Sequence, residues 1–369
     1  MADRLILHIG TMKSGTSFIQ SALMRNDDAL ADAGLAYLGG SFGKQSRAVR
    51  LALGRPPRLD GPRGWGRLAQ EARQYDGRAG VVSMEFLSFA RDSQVDTFLA
   101  PLAGLEVQVV VTVRDQFRAI PAQWQTFVRN FGEDGWETYL RTIDAPRLGR
   151  GRDSRAFLTF HRAQDIVPML QRWSSHPAVG RLDVVTVPGP DAPRDELWNR
   201  FCETAGIPVL STTLDDTQDN SSLGYASCDF LRRLNPHLAD VPPRRYRKGI
   251  RPLTREVLGP LRQLEGRPEL DAKAAAYARS LNEKVRTAVT RQGHRVIGSL
   301  DELPVPADLS AYSSTAEAPP VDQVLRAAHA TWDHCARLVG PKAGSRPEEL
   351  DAVVADGARL LRRAKRWNR

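Results

Sequence analysis

The stretch Leu5–Ser17, which reads LILHIGTMKSGTS, decides the fold class of this chain. Its first five residues are apolar except for His8, and they predict a buried strand that runs directly into Gly10. Apolar residues recur at helical spacing after the turn, at Phe18, Ile19, Ala22 and Leu23. A strand, a glycine-containing turn and a helix in this order predict an anion-binding site. The N–H groups of such a turn and the positive end of the helix dipole meet at one point.

Four further apolar runs predict strands of the same sheet, at residues 34–38, 80–84, 107–113 and 182–187. The third of these is almost continuous valine, which is typical of a parallel strand covered on both faces. Helical patterns separate the strands, so the chain is predicted to form βαβ units around a central parallel sheet. Residues 54–66 are rich in Pro, Gly and Arg, and they predict a surface loop. From about residue 195 the pattern becomes helical, and a Ser/Ala/Pro-rich linker near 311–320 precedes two amphipathic helices.

The composition is that of an ordinary globular protein, with 369 residues, 41% hydrophobic and 26% charged. Three widely spaced cysteines exclude a disulfide framework and a CxxC metal knuckle. No apolar run approaches the roughly 20 residues of a membrane-spanning helix. The apolar stretch at the start is too short for a signal peptide, so a cytoplasmic protein is the simplest interpretation.

The net charge of +9 suggests an anionic partner, and nucleic acid is the first to consider. Only seven of the 52 basic residues are lysines, however, and the skew toward arginine is more typical of genomic codon bias than of a binding face. Basic residues form a block only at the C-terminal turn, Arg359–Arg369. Nucleic-acid binding is therefore not predicted, although a non-enzymatic polyanion binder stays an alternative.

The turn after the first strand differs from a Walker A loop in one decisive way. Gly10 and Gly15 have the Walker spacing, but Thr16 stands where the Walker lysine would be, and Lys13 lies inside the loop. The strand over 107–113 ends in Arg114, which favours a second anion contact over a Walker B metal ligand. A small-molecule kinase that uses ATP–Mg²⁺ is thus the weaker alternative, and no metal site is predicted.

The loop sequence resembles a known family. Lys13–Ser17 resembles the 5′-phosphosulfate loop of sulfotransferases that use 3′-phosphoadenosine-5′-phosphosulfate (PAPS), and the stretch 8–20 resembles its bacterial form. Later segments are similar in the same order: Val113-Arg114-Asp115 with Trp124, Val185-Thr186-Val187-Pro188, and the stretch 220–235. The resemblance covers roughly residues 4–305. It implies a three-layer, P-loop-kinase-like α/β fold, with a C-terminal helical extension beyond it.

The resemblance also implies roles for individual residues. Lys13 would stabilise the oxygen that leaves sulfur, and Ser14 would lie near the sulfate. The nucleotide-binding residues would be Gly10, Thr11, Lys13, Ser14, Gly15, Thr16, Ser17, Arg114, Arg118 and Gln123.

One position departs from the family pattern. A serine that usually follows the arginine by eight residues and bonds the 3′-phosphate is replaced here by Ala122. Arg114 would then work with another donor, for which Arg118, Gln123 and Arg129 are the candidates.

The acceptor must lose a proton, and Glu85 is the predicted base. It follows the third strand, at the carboxyl edge of the sheet where ligands bind in such folds. His161 is the alternative base, whereas His8 is expected to pack beneath the loop. Gln164 and Asp165 are candidate acceptor contacts.

The predicted organisation is a sulfotransferase domain over residues 1–310 and a helical extension over 311–369. The reaction implied is sulfuryl transfer from PAPS to a hydroxyl or amine of a small-molecule or carbohydrate acceptor. The residues leave the acceptor and the oligomeric state open, with a homodimer as one option.

Overall fold

The computed structural model describes residues 4–54, 63–209 and 222–364. Some of the expectations above concern segments outside these ranges. They are the loop over residues 55–62, the Asn220-Ser221 pair and the last five residues of the basic C-terminal turn.

The strands form one parallel sheet in the order β2-β3-β1-β4-β5-β6. They are β1 (Arg4–His8), β2 (Leu35–Tyr37), β3 (Ala79–Ser83), β4 (Glu106–Val113), β5 (Val179–Thr186) and β6 (Arg295–Ile297). The predicted α/β fold with a P-loop-like loop after a central first strand is confirmed, as are the five predicted strands. β6 was not predicted, because its three residues carry too little pattern within a helical region.

The helices of the N-terminal half are α1 (Thr16–Arg25), α2 (Asp27–Asp32), α3 (Phe42–Ala52), α4 (Trp65–Gln74), α5 (Asp92–Leu99), α6 (Gln116–Val128), α7 (Trp136–Ile143), α8 (Arg155–Gln164) and α9 (Ile166–Ser174). The later helices are α10 (Glu196–Ala205), α11 (Tyr225–Leu234), α12 (Pro243–Pro252), α13 (Gly259–Leu261), α14 (Ala272–Arg291), α15 (Val321–Val339) and α16 (Leu350–Arg363). The last two correspond to the two amphipathic helices that the sequence predicts after the linker.

Helices cover both faces of the sheet. Side chains of β1 alternate between two core clusters, with Leu5 and Leu7 in one and Ile6 in the other. Trp65 of α4 packs in the first cluster and Trp198 of α10 packs in the second, and both are fully buried. This alternation along one strand gives the three layers that were expected.

Trp65 corrects part of the sequence analysis, which assigned residues 54–66 to a surface loop. Its ring is fully buried and its indole N–H donates to the carbonyl of Phe98 at 2.8 Å. The Pro, Gly and Arg residues that precede α4 hid the start of the helix, since they are typical of loops.

The chain divides into two compact units. The first contains Met1–Ala119, His161–Asp216 and Arg279–Pro306, and therefore the whole sheet. The second contains Ile120–Phe160, Thr217–Ala278 and Ala307–Arg369. Within it, α15 packs against both α16 and α11. The predicted domain boundary near residue 310 stays a prediction. In the ranges that the structure describes, no helix combines the length and apolarity needed to cross a membrane.

Candidate functional site

The loop between β1 and α1 lies at the carboxyl edge of the sheet. Its preceding strand ends at His8, which is level with Ser83 of β3 on one side and with Val110 of β4 on the other. Ligands bind at this edge in open α/β sheets, because the loops there leave a crevice. The loop therefore has neighbouring strand ends on both sides that can supply further groups.

Three residues of the loop have a positive φ: Gly10 (39°), Lys13 (68°) and Gly15 (81°). A Cβ on Gly10 would lie 2.3 Å from Cγ2 of Thr16, and a Cβ on Gly15 would lie 2.3 Å from Cδ2 of Leu197. Glycine is thus required at both positions by conformation and by space. A lysine in the left-handed region is uncommon and costs backbone strain, which is characteristic of functional loops.

The first turn of α1 has no side-chain cap. Gly15 is at the N-cap position, so neither Thr16 nor Ser17 caps the helix. Thr16 is buried and Ser17 is exposed. An uncapped helix start presents N–H groups and the positive end of the dipole, which together favour an anion.

A chain of hydrogen bonds joins the loop to the sheet beneath it. The Ser14 hydroxyl donates to the Thr11 carbonyl at 2.7 Å, and its oxygen lies 2.6 Å from Oγ1 of Thr112. His8 bonds Thr112 through Nε2 at 3.2 Å and Ser83 through Nδ1 at 2.7 Å. Because the one proton of Ser14 goes to Thr11, Thr112 donates to Ser14 and accepts from His8. The His8 proton is therefore assigned to Nε2.

These hydrogen bonds also involve Ser14, which the resemblance places near the sulfate. Its hydroxyl proton is used within the loop, and its oxygen lies against Thr112 of the sheet. A contact of Ser14 to an anion through its backbone N–H stays a prediction. As expected, His8 packs beneath the loop, and it is fully buried.

The loop carbonyls of Met12 and Lys13 are also bonded. Gln164 donates from Nε2 to the Met12 carbonyl at 2.8 Å, and Arg114 donates from a terminal guanidinium nitrogen to the Lys13 carbonyl at 3.2 Å. The Oε1 of Gln164 in turn accepts from Gln116 at 3.0 Å. These bonds fix the peptide planes on either side of Lys13. Gln164 thus supports the loop, a contact that the sequence did not indicate.

Asp115, at the end of β4, is occupied by structural contacts. Its Oδ1 accepts from the Phe117 N–H at 2.9 Å and from Asn282 at 3.0 Å, while its Oδ2 lies 3.4 Å from Nε of Arg118. The carboxylate therefore holds the start of α6. The ion pair of Asp115 in this region is with Arg118, and Arg114 contacts the loop instead.

The three candidate helpers of Arg114 have different surroundings. Arg118 donates to the carbonyls of Pro188 and Val187 at 3.1 and 3.4 Å, in addition to its pair with Asp115. Gln123 is buried in α6, and it belongs with Arg129 to the second compact unit. Burial lowers the pKa of Arg129. Participation of any of these in phosphate binding stays a prediction.

Glu85 begins a short 3₁₀ turn, Glu85–Phe89, directly after β3. Its side chain is buried, and its Oε2 accepts from Nε2 of Gln20 at 2.8 Å, which also donates to the Ser83 carbonyl at 3.1 Å. No lysine or arginine among the described residues forms an ion pair with this carboxylate. Burial, and then the charge of Glu85, raise the pKa of Tyr37, whose buried hydroxyl has no hydrogen-bond partner among the described residues. A buried glutamate carboxylate such as that of Glu85 is the kind of group that acts as a general base.

His161 lies in the last turn of α8, and its Nδ1 is 2.8 Å from Oδ1 of Asp165. The Asp165 side chain is about half exposed, at 48%. The two side chains form a local (i, i+4) contact on α8 and the residue that follows it. The alternative base and the predicted acceptor contact thus bond each other, and a catalytic part for His161 stays a prediction.

Two glutamines that the sequence analysis did not single out connect the parts of this site. Gln20 of α1 joins Ser83 to Glu85, and Gln45 of α3 accepts from the Ser83 N–H at 2.9 Å. Both are buried. In the sequence, each is a polar residue on the apolar face of an amphipathic helix. A polar side chain at such a position is expected to be buried and hydrogen-bonded. Within the described ranges, no group of three or more His, Cys, Asp or Glu side chains is arranged to hold a metal ion.

The pKa of His8 is lowered by burial to about 3, so His8 is neutral in the folded protein near pH 7. In the unfolded chain it protonates near pH 6.5. The contribution of neutral His8 to the unfolding free energy is therefore complete above about pH 6.5 and is lost as the pH falls toward 3. Between pH 7.5 and 5, we expect His8 to account for about 2 kcal/mol of the loss in unfolding free energy. Denaturant titration of the wild type and of His8→Gln at both pH values measures this difference.

The control is His237→Gln, which changes an exposed histidine. Its unfolding free energy should fall between pH 7.5 and 5 by as much as that of the wild type. In His8→Gln this fall should be smaller by about 2 kcal/mol. If the two variants have the same pH dependence, His8 is not buried as a neutral group.

Comparison with solved structures gives a distant structural likeness. No family model matches the chain. No curated protein matches it either. A solved structure of a sulfotransferase from Alicyclobacillus acidocaldarius aligns with a TM-score of 0.39 and 12% identity, covering 68% of this chain and 95% of the other. At that TM-score and identity, the likeness identifies neither a family nor a function.

Proposed function

We propose that this protein is a PAPS-dependent sulfotransferase that transfers a sulfuryl group to a hydroxyl or amine of a small-molecule or carbohydrate acceptor. The observation that carries the proposal is Lys13. It has a φ of 68° in a loop that needs glycine on either side, directly before a helix without a side-chain cap. The motif resemblance of this loop to the 5′-phosphosulfate loop supports the same assignment.

The 5′-phosphate would bind at the start of α1. Backbone N–H groups and the hydroxyls of Thr16 and Ser17 are available to it there, and Gly10 and Gly15 let the backbone approach closely. The loop shape is supported from below by the Ser14–Thr112–His8 bonds. A loop held in place before the nucleotide binds loses little entropy on binding.

Arg114 would bind the 3′-phosphate. It ends a buried strand, and its bond to the Lys13 carbonyl keeps its guanidinium next to the loop. Guanidinium groups suit phosphate because they donate two parallel hydrogen bonds. Arg118 and Gln123 are proposed as its helpers in place of the family serine, which is Ala122 here.

The reaction would be an in-line displacement at sulfur. Glu85 takes the acceptor proton, the acceptor oxygen or nitrogen forms a bond to sulfur, and the bond from sulfur to the 5′-phosphate oxygen breaks. The electron pair of that bond stays on adenosine 3′,5′-bisphosphate (PAP), and Lys13 stabilises the charge there. The proton on Glu85 then passes to water. No redox partner is needed, and His161 is the alternative base.

Calorimetric titration of the full chain with PAP in EDTA tests the proposal. We expect PAP to bind and, at a hundred times its Kd, to stabilise the fold by about 2.7 kcal/mol. Binding of ATP only in the presence of Mg²⁺ would favour the kinase alternative. A steeply salt-dependent affinity for DNA with no nucleotide effect would favour a polyanion binder.

The same titration tests whether Arg114 binds the 3′-phosphate. Arg114→Ala should weaken PAP much more than adenosine 5′-phosphate, which has no 3′-phosphate. Because Arg114 also bonds the loop, some loss for both nucleotides is expected. An equal loss for both contradicts a 3′-phosphate contact.

A further inference from the structure

A second feature of the carboxyl edge is a cleft of about 910 Å³ beside β2, between α3 and α4. We call it the basic cleft and define it by its four cationic side chains, Lys44, Arg47, Arg63 and Arg67. Its volume is in the range of small-molecule sites. The residues proposed to bind the nucleotide or to act as the base are not part of its described lining.

Cations outnumber carboxylates in the described lining of the basic cleft, by four to one. All four cationic side chains are exposed, and within the described ranges no carboxylate forms an ion pair with any of them. The one carboxylate of the lining, Glu71, accepts a hydrogen bond from the Gly39 N–H at 2.7 Å. Four like charges around one concave surface repel each other and raise the local concentration of anions.

The basic cleft and the proposed base follow neighbouring strands of the sheet. β2, after which the cleft begins, pairs with β3, after which Glu85 lies, and β3 pairs with β1. Since neighbouring strands are about 4.8 Å apart, β2 is roughly 10 Å from β1 across the sheet. Gln45 fixes this arrangement, because it bonds the carbonyls of Leu38 and Val81 and the N–H of Ser83.

The lining also indicates which acceptor fits. Glycines and charged side chains predominate, Ala48 and Leu68 are its apolar side chains, and the described lining contains no aromatic ring. Apolar and aromatic acceptors are usually bound by apolar and aromatic walls. A polar, hydroxyl-bearing molecule with a negative charge matches this lining better.

We propose that the basic cleft binds the anionic group of the acceptor, so that the acceptor is an acidic, hydroxyl-bearing molecule such as an acidic sugar. This rests on the proposed function for the direction of transfer, but the anion-binding step does not depend on it. An acid group in the cleft places the rest of a sugar-sized molecule toward Glu85 and the loop. The cleft then selects acidic over neutral acceptors.

Two measurements on the full chain test the proposal. The first is calorimetric titration with sucrose octasulfate, with neutral sucrose as the matched probe. We expect binding of the sulfated sugar alone, and Arg47→Ala/Arg67→Ala should weaken it by about a hundredfold if each arginine contributes about one charge-assisted hydrogen bond. The matched control is Arg291→Ala, which removes an exposed arginine at the end of α14 and should leave the affinity within about twofold of the wild type.

The second measurement is sulfuryl transfer from PAPS to methyl glucuronide and to methyl glucoside, which differ in one carboxylate. The wild type should have the higher kcat/KM for the glucuronide. In the double variant that preference should disappear through a rise in KM for the glucuronide alone.

The outcomes separate the two proposals. If the double variant binds sucrose octasulfate more weakly than the wild type, but the wild type has no affinity for PAP, the result supports anion binding in the basic cleft and contradicts the sulfotransferase. If the wild type binds PAP, but the wild type, the double variant and Arg291→Ala have equal affinities for sucrose octasulfate, the anionic acceptor is overturned and the sulfotransferase proposal is unaffected. An equal loss of binding free energy per arginine removed, in Arg291→Ala and in the double variant, indicates attraction to the net charge of the chain and also overturns the cleft.

Discussion

Lys13→Ala is expected to lower kcat for sulfuryl transfer by about a hundred- to a thousandfold, the usual effect of removing one preorganised group that stabilises developing charge. The ammonium group interacts with an oxygen whose negative charge grows as the bond to sulfur breaks. The stabilisation is therefore greater in the transition state than in the bound nucleotide. The affinity for PAP should fall much less, because backbone N–H groups supply most of its phosphate contacts. Rates at saturating PAPS and calorimetry with PAP measure the two effects separately.

Two further variants decide whether the effect belongs to the charge at this position. Lys284→Ala removes an exposed lysine from α14 and should keep the wild-type rate. Lys13→Gly removes the side chain and relieves the backbone strain at φ 68°, so it should be folded at least as stably as the wild type yet equally slow. Wild-type turnover in Lys13→Ala or Lys13→Gly would refute the proposed part of Lys13.

The main outline of the fold was predictable because it depends on local pattern. The apolar runs of β1 and β4 are buried strands, and their alternation with helices required a parallel sheet. β6 was missed because three residues, Arg295–Ile297, form a strand only by pairing with β5. The start of α4 was missed because Trp65 follows residues typical of loops.

The candidate site was predictable only where one short segment carries it. Lys13 and its glycines are adjacent in sequence, so their spacing alone indicated an anion loop. Gln20 and Gln164 act through tertiary contacts across 65 and 152 residues of chain, and no local pattern encodes such a distance. Burial of a polar side chain requires partners, but the sequence does not say which ones.

The basic cleft was hidden for the same reason. Its cations come from two separate segments. Lys44 and Arg47 are on α3, whereas Arg67 is on α4 and Arg63 lies two residues before that helix. Each pair is unremarkable in a chain with 52 basic residues. Their convergence depends on the packing of α3 against α4, which buries Ala48 and Leu68. Net charge alone therefore could not single out these four residues from the other basic residues of the chain.

Glu85→Gln is expected to lower kcat for an aliphatic alcohol acceptor by about a hundred- to ten-thousandfold, the usual contribution of a general base. The change is nearly isosteric, and the new amide oxygen can still accept the bond that Gln20 donates at 2.8 Å. The fold and the affinity for PAP should therefore be unchanged. Kinetics with saturating PAPS across the pH range measure the loss.

A pair of acceptors distinguishes a base from a group that only positions the acceptor. A phenol with an electron-withdrawing substituent ionises without help, so its transfer by Glu85→Gln should stay close to the wild-type rate, whereas transfer to the alcohol fails. The acidic limb of the pH–rate profile, which reports protonation of the base, should disappear in the variant. Equal losses for both acceptors would make Glu85 a positioning residue. A normal rate in Glu85→Gln together with a loss in His161→Gln would transfer the role of base to His161.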